Sequence, residues 1–420
     1  MTRLQRDRRT WLTYAQLGCY GWFLYGFGPS LTLLRDEQGF SRTVAGLHGT
    51  ALATGALCSA LIVARLAVRY GRVPLIWAGL TILCAGIVTL TAFTSLAATL
   101  TGAFLCSFGG SFVVTCSATV LSAVHGAGGP AAITEANAVA AGVGAVAPLA
   151  VGVAVVLGSW RSALLVLLPV VALLAVVGRG TPSLRDRGVR ATGVPPGRLS
   201  GRYWVSWVVV TAGIAVEFCL ALWSADMLHQ RTDLSRAAAS ASVTALVAGM
   251  FVGRAVGGRL ALRYPVDRLL YAALALNAAG FAVFWGSTSA PVAVTGLLAC
   301  GLGVALYFPL GLSRSIAASD GRPDHASARV GIGAALASGA GPFALGALAD
   351  VAGIHTAMLI VPALLVVAAL GIRLGPVIRI TPSLRAPGPT TSQDHDEAAE
   401  QYAEAEHPEH GGGRARPGAD

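Results

Sequence analysis

Apolar runs, each close to the ~20 residues that cross a bilayer core as a helix, follow one another from Trp11 to the neighbourhood of Leu374. A backbone inside lipid finds no water to bond with, so runs of this length become helices packed against one another. Only 12% of the 420 residues are charged and 55% are hydrophobic, whereas a soluble chain carries roughly a quarter charged residues. Length and hydropathy predict a first group of helices at Trp11–Leu34, Val44–Ala64, Pro74–Thr94, Leu96–Val120, Ala131–Leu157 and Ser162–Val177. A second group is expected at Trp204–Met227, Ala239–Gly258, Leu269–Gly286, Pro291–Leu312, Val330–Ala349 and Thr356–Leu374. The shortest connections, near Thr94 to Leu96 and Gly286 to Pro291, force antiparallel neighbours and occupy matching places in the two groups.

The match extends to sequence. Arg65-Leu66-Ala67-Val68-Arg69-Tyr70 returns as Arg259-Leu260-Ala261-Leu262-Arg263-Tyr264, an offset of 194 (259 − 65). Ala147-Pro148 with Gly152 returns as Gly341-Pro342 with Gly346 at the same offset of 194 (342 − 148). Two unrelated elements in one register indicate an internal duplication, and parallel repeats of about six helices are a transporter architecture. The expected fold is an all-α polytopic membrane protein of about twelve transmembrane helices in two pseudo-symmetric six-helix bundles. Its parts are an N-terminal segment 1–10, a bundle 11–177, a Gly-, Pro- and Arg-rich linker 178–203, a bundle 204–374 and a tail 375–420. From about Thr381 that tail loses apolar residues and reads as disordered.

The net charge of +10 is a signal of topology in such a chain, not a footprint for nucleic acid. All thirty basic residues are Arg, which points to a GC-rich, actinobacterial-like genome. With the N-terminus inside, Arg3, Arg6, Arg8, Arg9, Arg65, Arg69, Arg72, Arg259, Arg263 and Arg268 are cytoplasmic, as are linker residues Arg179, Arg185, Arg187, Arg190, Arg198 and Arg202. Only Arg35, Arg42, Arg161, Arg231 and Arg236 remain for the outer side, as the positive-inside rule requires. Trp11, Trp160, Trp204 and Trp285 fall near helix ends, where aromatic belts sit. A multi-pass protein of the cytoplasmic (inner) membrane is expected, with both termini cytoplasmic. Arg8-Arg9-Thr10-Trp11-Leu12 imitates a twin-arginine signal, but the apolar run behind it is too long for a signal peptide and lacks a cleavage site. Cys19, Cys58, Cys84, Cys106, Cys116, Cys219 and Cys300 lie inside apolar runs without zinc spacing and read as small core residues. His395, His407 and His410 among the tail carboxylates are poor metal candidates. No metal and no cofactor is expected.

The loop after the second helix, with Leu66, Ala67, Arg69, Gly71 and Arg72, resembles the G-x-L-A-D-R-x-G-R-[KR] loop of the major facilitator superfamily. Trp160-Arg161 opening the sixth helix and Gly253-Arg254 with Gly257-Gly258 in the eighth add to the resemblance, which covers about Trp11 to Leu374. It implies a twelve-helix secondary transporter, working by alternating access. In that family the loop's Asp and basic residues help latch the halves, so Arg65, Arg69, Gly71, Arg72, Arg259 and Arg263 are candidate gating residues. The Asp position is Val68, and Leu262 in the second copy, which leaves a charge latch here in question; the alternative is that these arginines hold topology and meet anionic headgroups. Ala147-Pro148 and Gly152, with Gly142 and Gly144, resemble the family's antiporter motif G-x-x-x-G-P-x-x-G-G, broken by Val143 and Val151. Pro148, Gly152, Pro342 and Gly346 are therefore candidate helix-bending positions, with ordinary small-residue packing as the alternative. The Arg that the family carries in the fourth helix is absent: its position, ahead of Phe108-Gly109, is Leu105.

The residue most telling on physical grounds is Glu217. At ~1.5 Å per residue it lies roughly 20 Å in from Trp204, near the bilayer midplane. A carboxylate there is costly unless protonated or paired, and such groups usually serve an ion or substrate path. It is the candidate proton-coupling residue, with a structural hydrogen-bonded carboxyl as the alternative. Ser224 shares its face, whereas Asp226 lies on the opposite face near the outer boundary. Arg254 is either a snorkelling residue, about one and a half turns from Arg259, or a partner for substrate or a carboxyl. Ser107, Ser111 and Thr115 recur every four residues in the fourth helix, which with helices one, seven and ten lines the cavity in the resembled family. Trp22, Tyr25, Trp223 and Tyr307 would add an aromatic lining, or pack, and Asn137 is a further cavity candidate.

The expected function is secondary active transport of a small organic molecule by proton-coupled efflux, with protons and the lipid bilayer as partners, no nucleic acid and a monomeric state. The alternatives are a proton symporter for nutrient uptake and a transport-inactive membrane sensor. His48, His125, His229 and His355 are scattered singly and no P-loop is present, so neither an enzyme nor an ATP-driven pump is expected.

Overall fold

The structure is a computed structural model and describes residues 6–179, 199–261, 263–320 and 322–375. Expectations for the tail beyond Gly375 and for most of the linker lie outside the described residues. The helices are α1 (Arg8–Gln38), α2 (Arg42–Tyr70), α3 (Arg72–Ala92), α4 (Leu96–His125), α5 (Gly129–Val156) and α6 (Arg161–Gly178). The second group is α7 (Gly201–Arg231), α8 (Arg236–Leu260), α9 (Val266–Gly286), α10 (Ala290–Ala317), α11 (Pro323–Ala352) and α12 (Ile354–Leu374). No strand occurs among the described residues. From α2 onward each helix is long and apolar enough to cross a membrane. α1 carries more Gly, Tyr and Thr and is less apolar, yet most of its length is buried between neighbours.

Polar caps set several boundaries and push the helices past their predicted ends. The Asp7 carboxylate accepts from the Thr10 amide and starts α1 ahead of Trp11. Gly39, at φ 66°, ends it beyond Leu34. Ser41, Ser95, Ser200 and Ser235 cap α2, α4, α7 and α8 in the same way. Three helices are broken near a proline. Pro169, Pro309 and Pro362 each lack an amide hydrogen and crowd the carbonyl four residues earlier, and the turns fall at Val166, at Ala305–Leu306 and at Met358–Leu359. The interruption of α8 at Val243 has no proline to explain it. α10 resumes after its break and runs to Ala317, so Arg314 lies inside a helix; the predicted end at Leu312 had left it outside.

The 194-residue register reappears in the packing. A β-carbon on Gly86 of α3 would lie 2.7 Å from the Cys106 amide nitrogen of α4; one on Gly280 of α9 would lie 2.7 Å from that of Cys300 in α10. Cys106 Sγ points at the Leu83 carbonyl at 3.6 Å, and its counterpart Cys300 Sγ at the Asn277 carbonyl at 3.8 Å. Both contacts are possible only because glycine lets the paired backbones approach this closely. Duplication thus shows as identical helix seams, not only as similar letters.

The two bundles meet along α2 with α11 and α5 with α8, and through α1 with α7. The end at which α1 starts is called the terminal end below, and the opposite one the far end. At the far end the seams close on small residues. A β-carbon on Gly152 of α5 would lie 2.6 Å from the Ala237 carbonyl of α8, and one on Gly346 of α11 would lie 2.5 Å from the Arg42 carbonyl of α2. Nearer the middle of the molecule, Gly28 of α1 meets the Ala221 carbonyl of α7.

Candidate functional site

Glu217 stands at the middle of α7, and two basic or phenolic groups converge on it. Arg254 Nη2 of α8 lies 3.8 Å from Glu217 Oε1. Arg254 Nη1 lies 3.5 Å from the Tyr25 hydroxyl of α1, across the bundle boundary. Helix direction explains the meeting. Side chains lean toward the N-terminus of their own helix. α7 and α1 run from the terminal end and α8 runs back toward it, so Glu217 and Tyr25 lean one way and Arg254 leans the other, into the layer between. The guanidinium therefore points inward instead of snorkelling to the terminal end. Gly144 of α5 leaves room for the Tyr25 ring, which a β-carbon there would strike.

The triad is loosely joined. Its contacts of 3.8 and 3.5 Å exceed a good charge-assisted hydrogen bond, about 2.8 Å. The side chains are not sealed either: Arg254 is 31% and Glu217 14% exposed. The pseudo-symmetric positions, 194 residues earlier, are Phe23 and Ala60. Both charges of this layer therefore belong to one half.

A second cluster, tightly joined, ties the bundles at the far end. Asp226 of α7 accepts from Arg35 Nη1 and Nη2 of α1 at 2.8 and 2.9 Å and from Arg42 Nε of α2 at 2.8 Å. Asp36 bridges Arg35 at 2.6 Å and Arg236 of α8 at 3.1 Å. Asp350 of α11 caps the start of α2, accepting from the Arg42 and Thr43 amides at 2.8 and 2.7 Å. The Arg161–Glu37 pair, at 2.8 Å, braces α6 on α1 within the first bundle. At the terminal end, Arg6–Glu135 and Arg314–Asp267 each stay inside one bundle. The sequence placed Arg35, Arg42 and Arg236 on one side of the membrane but gave no sign of their partners, which lie 191 positions away for Arg35 and Asp226 (226 − 35) and 308 for Arg42 and Asp350 (350 − 42).

The other sequence candidates are spread more widely. Trp22 donates to the Ala163 carbonyl of α6 at 2.8 Å and Trp223 to the Pro342 carbonyl of α11 at 3.0 Å, so each indole bridges helices within its bundle. Ser107 is buried and bonded to Tyr20, Ser111 is half-buried and Thr115 exposed. Asn137 is exposed and bonds the Ile133 carbonyl at 2.8 Å. Ser224 is fully buried with its hydroxyl unpartnered. Tyr307 packs on Gly213, one turn before Glu217, and its buried hydroxyl is also unpartnered. Arg65, Arg69, Arg259 and Arg263 are exposed at the terminal end and Arg72 is half-buried, with Gly71 turning the chain at φ 86°. Pro148 and Pro342 lie within unbroken helices, and the neighbouring Gly152 and Gly346 face the two far-end seams.

Solved transporters share this architecture. A bacterial homologue of the human lysosomal transporter Spinster, inward-facing and unoccupied, superposes with a TM-score of 0.71 at 15% identity, covering 91% of this chain and 100% of its own. The nucleoside transporter NupG gives 0.72 at 14% identity over 87% of this chain and 98% of its own. The E. coli fucose:proton symporter FucP gives 0.60 at 14% identity over 87% and 98%. At these identities the likeness is one of fold. No curated protein matches the chain. The family model of the Major Facilitator Superfamily matches residues 14–228, across α1 to α7, and the chain belongs to that superfamily of membrane transporters.

Proposed function

We propose that this chain is a proton-coupled secondary transporter of a small organic molecule in the cytoplasmic membrane, with Glu217 as the group that carries the proton. The observation behind this reading is the position of Glu217: mid-helix, 14% exposed and 3.8 Å from Arg254, which in turn reaches Tyr25 of the other bundle. A carboxyl there is neutral when protonated and otherwise needs a counter-ion. That makes its charge state answer to whatever occupies the site. FucP, a proton symporter of the same fold, supports the choice of ion.

With the N-terminus in the cytoplasm, as the arginine distribution favours, the far end faces outward. The ion cluster then closes the outer side and the space around Glu217 opens inward, like the inward-facing Spinster homologue. Efflux by antiport was suggested by the Pro148 element. That element recurs at Pro342, and both copies sit beside glycines that close seams, so it speaks to packing more than to direction. Arg254 favours symport instead: a cationic drug exchanging against the Glu217 proton would meet a guanidinium 3.8 Å away.

The test uses reconstituted vesicles with an internal pH dye and a panel of candidate metabolites. Compound-dependent proton movement is expected with the parent protein and lost in Glu217→Gln. Compound uptake without proton movement, or equal proton movement in Glu217→Gln, would remove Glu217 from the coupling role.

A further inference from the structure

The central layer holds one full positive and one full negative charge, and they are held differently from every pair at the far end. Asp226 receives three charged donors at 2.8 to 2.9 Å, whereas Arg254 keeps one carboxylate oxygen at 3.8 Å and one phenol at 3.5 Å. A guanidinium has five N–H donors in a planar fork suited to a carboxylate. Here that fork has only the long contacts to Glu217 and Tyr25, and 31% of the side chain is exposed. The charged or titratable groups facing Glu217 are Arg254 from α8 and Tyr25 from α1. From α10, the base of the Tyr307 side chain packs on Gly213, one turn before Glu217. The site is thus one loosely held cation, one carboxyl able to go neutral, and the phenolic hydroxyl of Tyr25.

Resting on the proton-coupled reading above, we propose that the transported molecule is a small organic monoanion with a carboxylate head, that Arg254 takes that head in the fork now shared with Glu217, and that Glu217 is protonated in the same event. The charge balance follows directly. The empty layer is Arg254 positive and Glu217 negative, a sum of zero. The loaded layer is Arg254 positive, the substrate negative and Glu217 neutral, again zero. Anion without proton leaves a net negative charge near the midplane, and proton without anion leaves a net positive one. Both are costly in that environment. Only the empty and the doubly loaded layers are suited to the swing between sides, which gives one proton per anion and no net charge moved. The proton comes from water on the side where the anion enters and leaves with it on the other.

The experiment is binding to the full-length protein in lipid nanodiscs, in weak buffer so that proton uptake is read beside affinity. The probes are lactate, benzoate and nicotinate, each against its carboxamide. At least one acid should bind about tenfold or more tighter than its amide, because the amide leaves the guanidinium charge unmatched. Binding should take up one proton per anion at pH values where Glu217 is ionised. In Arg254→Gln, acid binding should fall roughly thirtyfold or more, the usual result of truncating one member of a desolvated charge pair. Arg254→Lys, which keeps the charge without the fork, should recover part of it and so separates charge loss from misfolding. Glu217→Gln should still bind the acid, more tightly near neutral pH, with proton uptake abolished. Amides binding as well as acids, undiminished acid binding in Arg254→Gln, or no binding of any acid to folded protein overturns the assignment. Vesicle proton movement driven by a neutral or cationic compound, with no acid bound, sinks the anion while leaving the proton-coupled reading intact. Acid bound through Arg254 without proton uptake overturns the joint loading and the coupling role of Glu217 together.

Discussion

Asp226→Asn is the substitution with the most calculable effect on the transport cycle. It preserves the shape of a side chain that is fully buried and removes the charge between Arg35 and Arg42, whose side chains are 9% and 21% exposed. Removing one partner of a buried ion pair costs ~3–5 kcal/mol, mostly because the other charge is left uncompensated. Arg35 keeps Asp36 at 2.6 Å, which places the cost at the lower end, about 3 kcal/mol. When the far end opens, both arginines reach water and the penalty vanishes, so nearly all of it falls on the closed state. At ~1.4 kcal/mol per tenfold, the equilibrium should move roughly a hundredfold toward a far-end-open form. Spin labels at Thr94→Cys and Thr288→Cys report it. Both positions are exposed at the α3–α4 and α9–α10 turns of opposite bundles, clear of the ion cluster, and the two half-buried native cysteines, Cys58 and Cys84, can be replaced by Ser. A longer distance population should grow in Asp226→Asn and be absent or minor in the parent. An unchanged distance distribution in folded Asp226→Asn protein would refute the idea that this cluster latches the bundles.

Further substitutions test other parts of the fold. Gly152→Ala places a methyl 2.6 Å from the Ala237 carbonyl oxygen and 2.7 Å from Ala241 Cβ. It should wedge the α5–α8 seam and lengthen the same spin-label distance; an unaltered distance would mean that this seam yields at no cost. Asp267→Ala leaves Arg314, 1% exposed, without the carboxylate now 2.6 Å away. A loss of about 3–5 kcal/mol is expected, read as a lower melting temperature in detergent, with most of it restored by pairing Asp267→Leu with Arg314→Met. If the double variant melts no higher than the single one, packing and not charge holds that corner. Asp7→Ala removes the α1 cap, whose carboxylate accepts from Thr10 N at 2.8 Å and Thr10 Oγ1 at 2.6 Å, at a cost of about 0.5–1 kcal/mol. Partial burial pushes the Asp7 carboxyl up, but the Thr10 bonds outweigh it and hold it below its ordinary value. The cap therefore stabilises fully above the usual carboxylate range near pH ~4 and is lost as pH falls below it; a difference between parent and variant that persists unchanged in strong acid contradicts this.

The architecture was legible because the signals that fix it are local or periodic. Apolar run length, the arginine distribution and one register between Arg65–Tyr70 and Arg259–Tyr264 suffice for two bundles of six helices. Glu217 was legible for a similar reason, since its position in an apolar run marks it without knowledge of any neighbour. Its partner was harder. Arg254 lies close enough to Arg259 to suggest snorkelling, and only the antiparallel course of α7 and α8 shows that the two side chains lean together. The far-end cluster was invisible because its pairs join residues as distant as Arg42 and Asp350, and no periodicity links them. Arg314 was missed through a boundary: the apolar run stops at Leu312, whereas α10 continues to Ala317 and carries Arg314 into the bundle.

The seams and the charges of this molecule have different ancestries. Gly86 and Gly280 hold the same seam inside each bundle, where a β-carbon would lie 2.7 Å from the neighbouring helix, and Gly152 and Gly346 close equivalent joints between the bundles, so the bearings on which they turn remain a matched pair. Glu217 and Arg254, by contrast, face the ghosts of Phe23 and Ala60. The charged grip is therefore carried by one bundle while the other slides past it as a largely uncharged wall. Such a division lets selection retune what is carried by changing a few side chains of α7 and α8, while the paired joints that set the swing stay untouched.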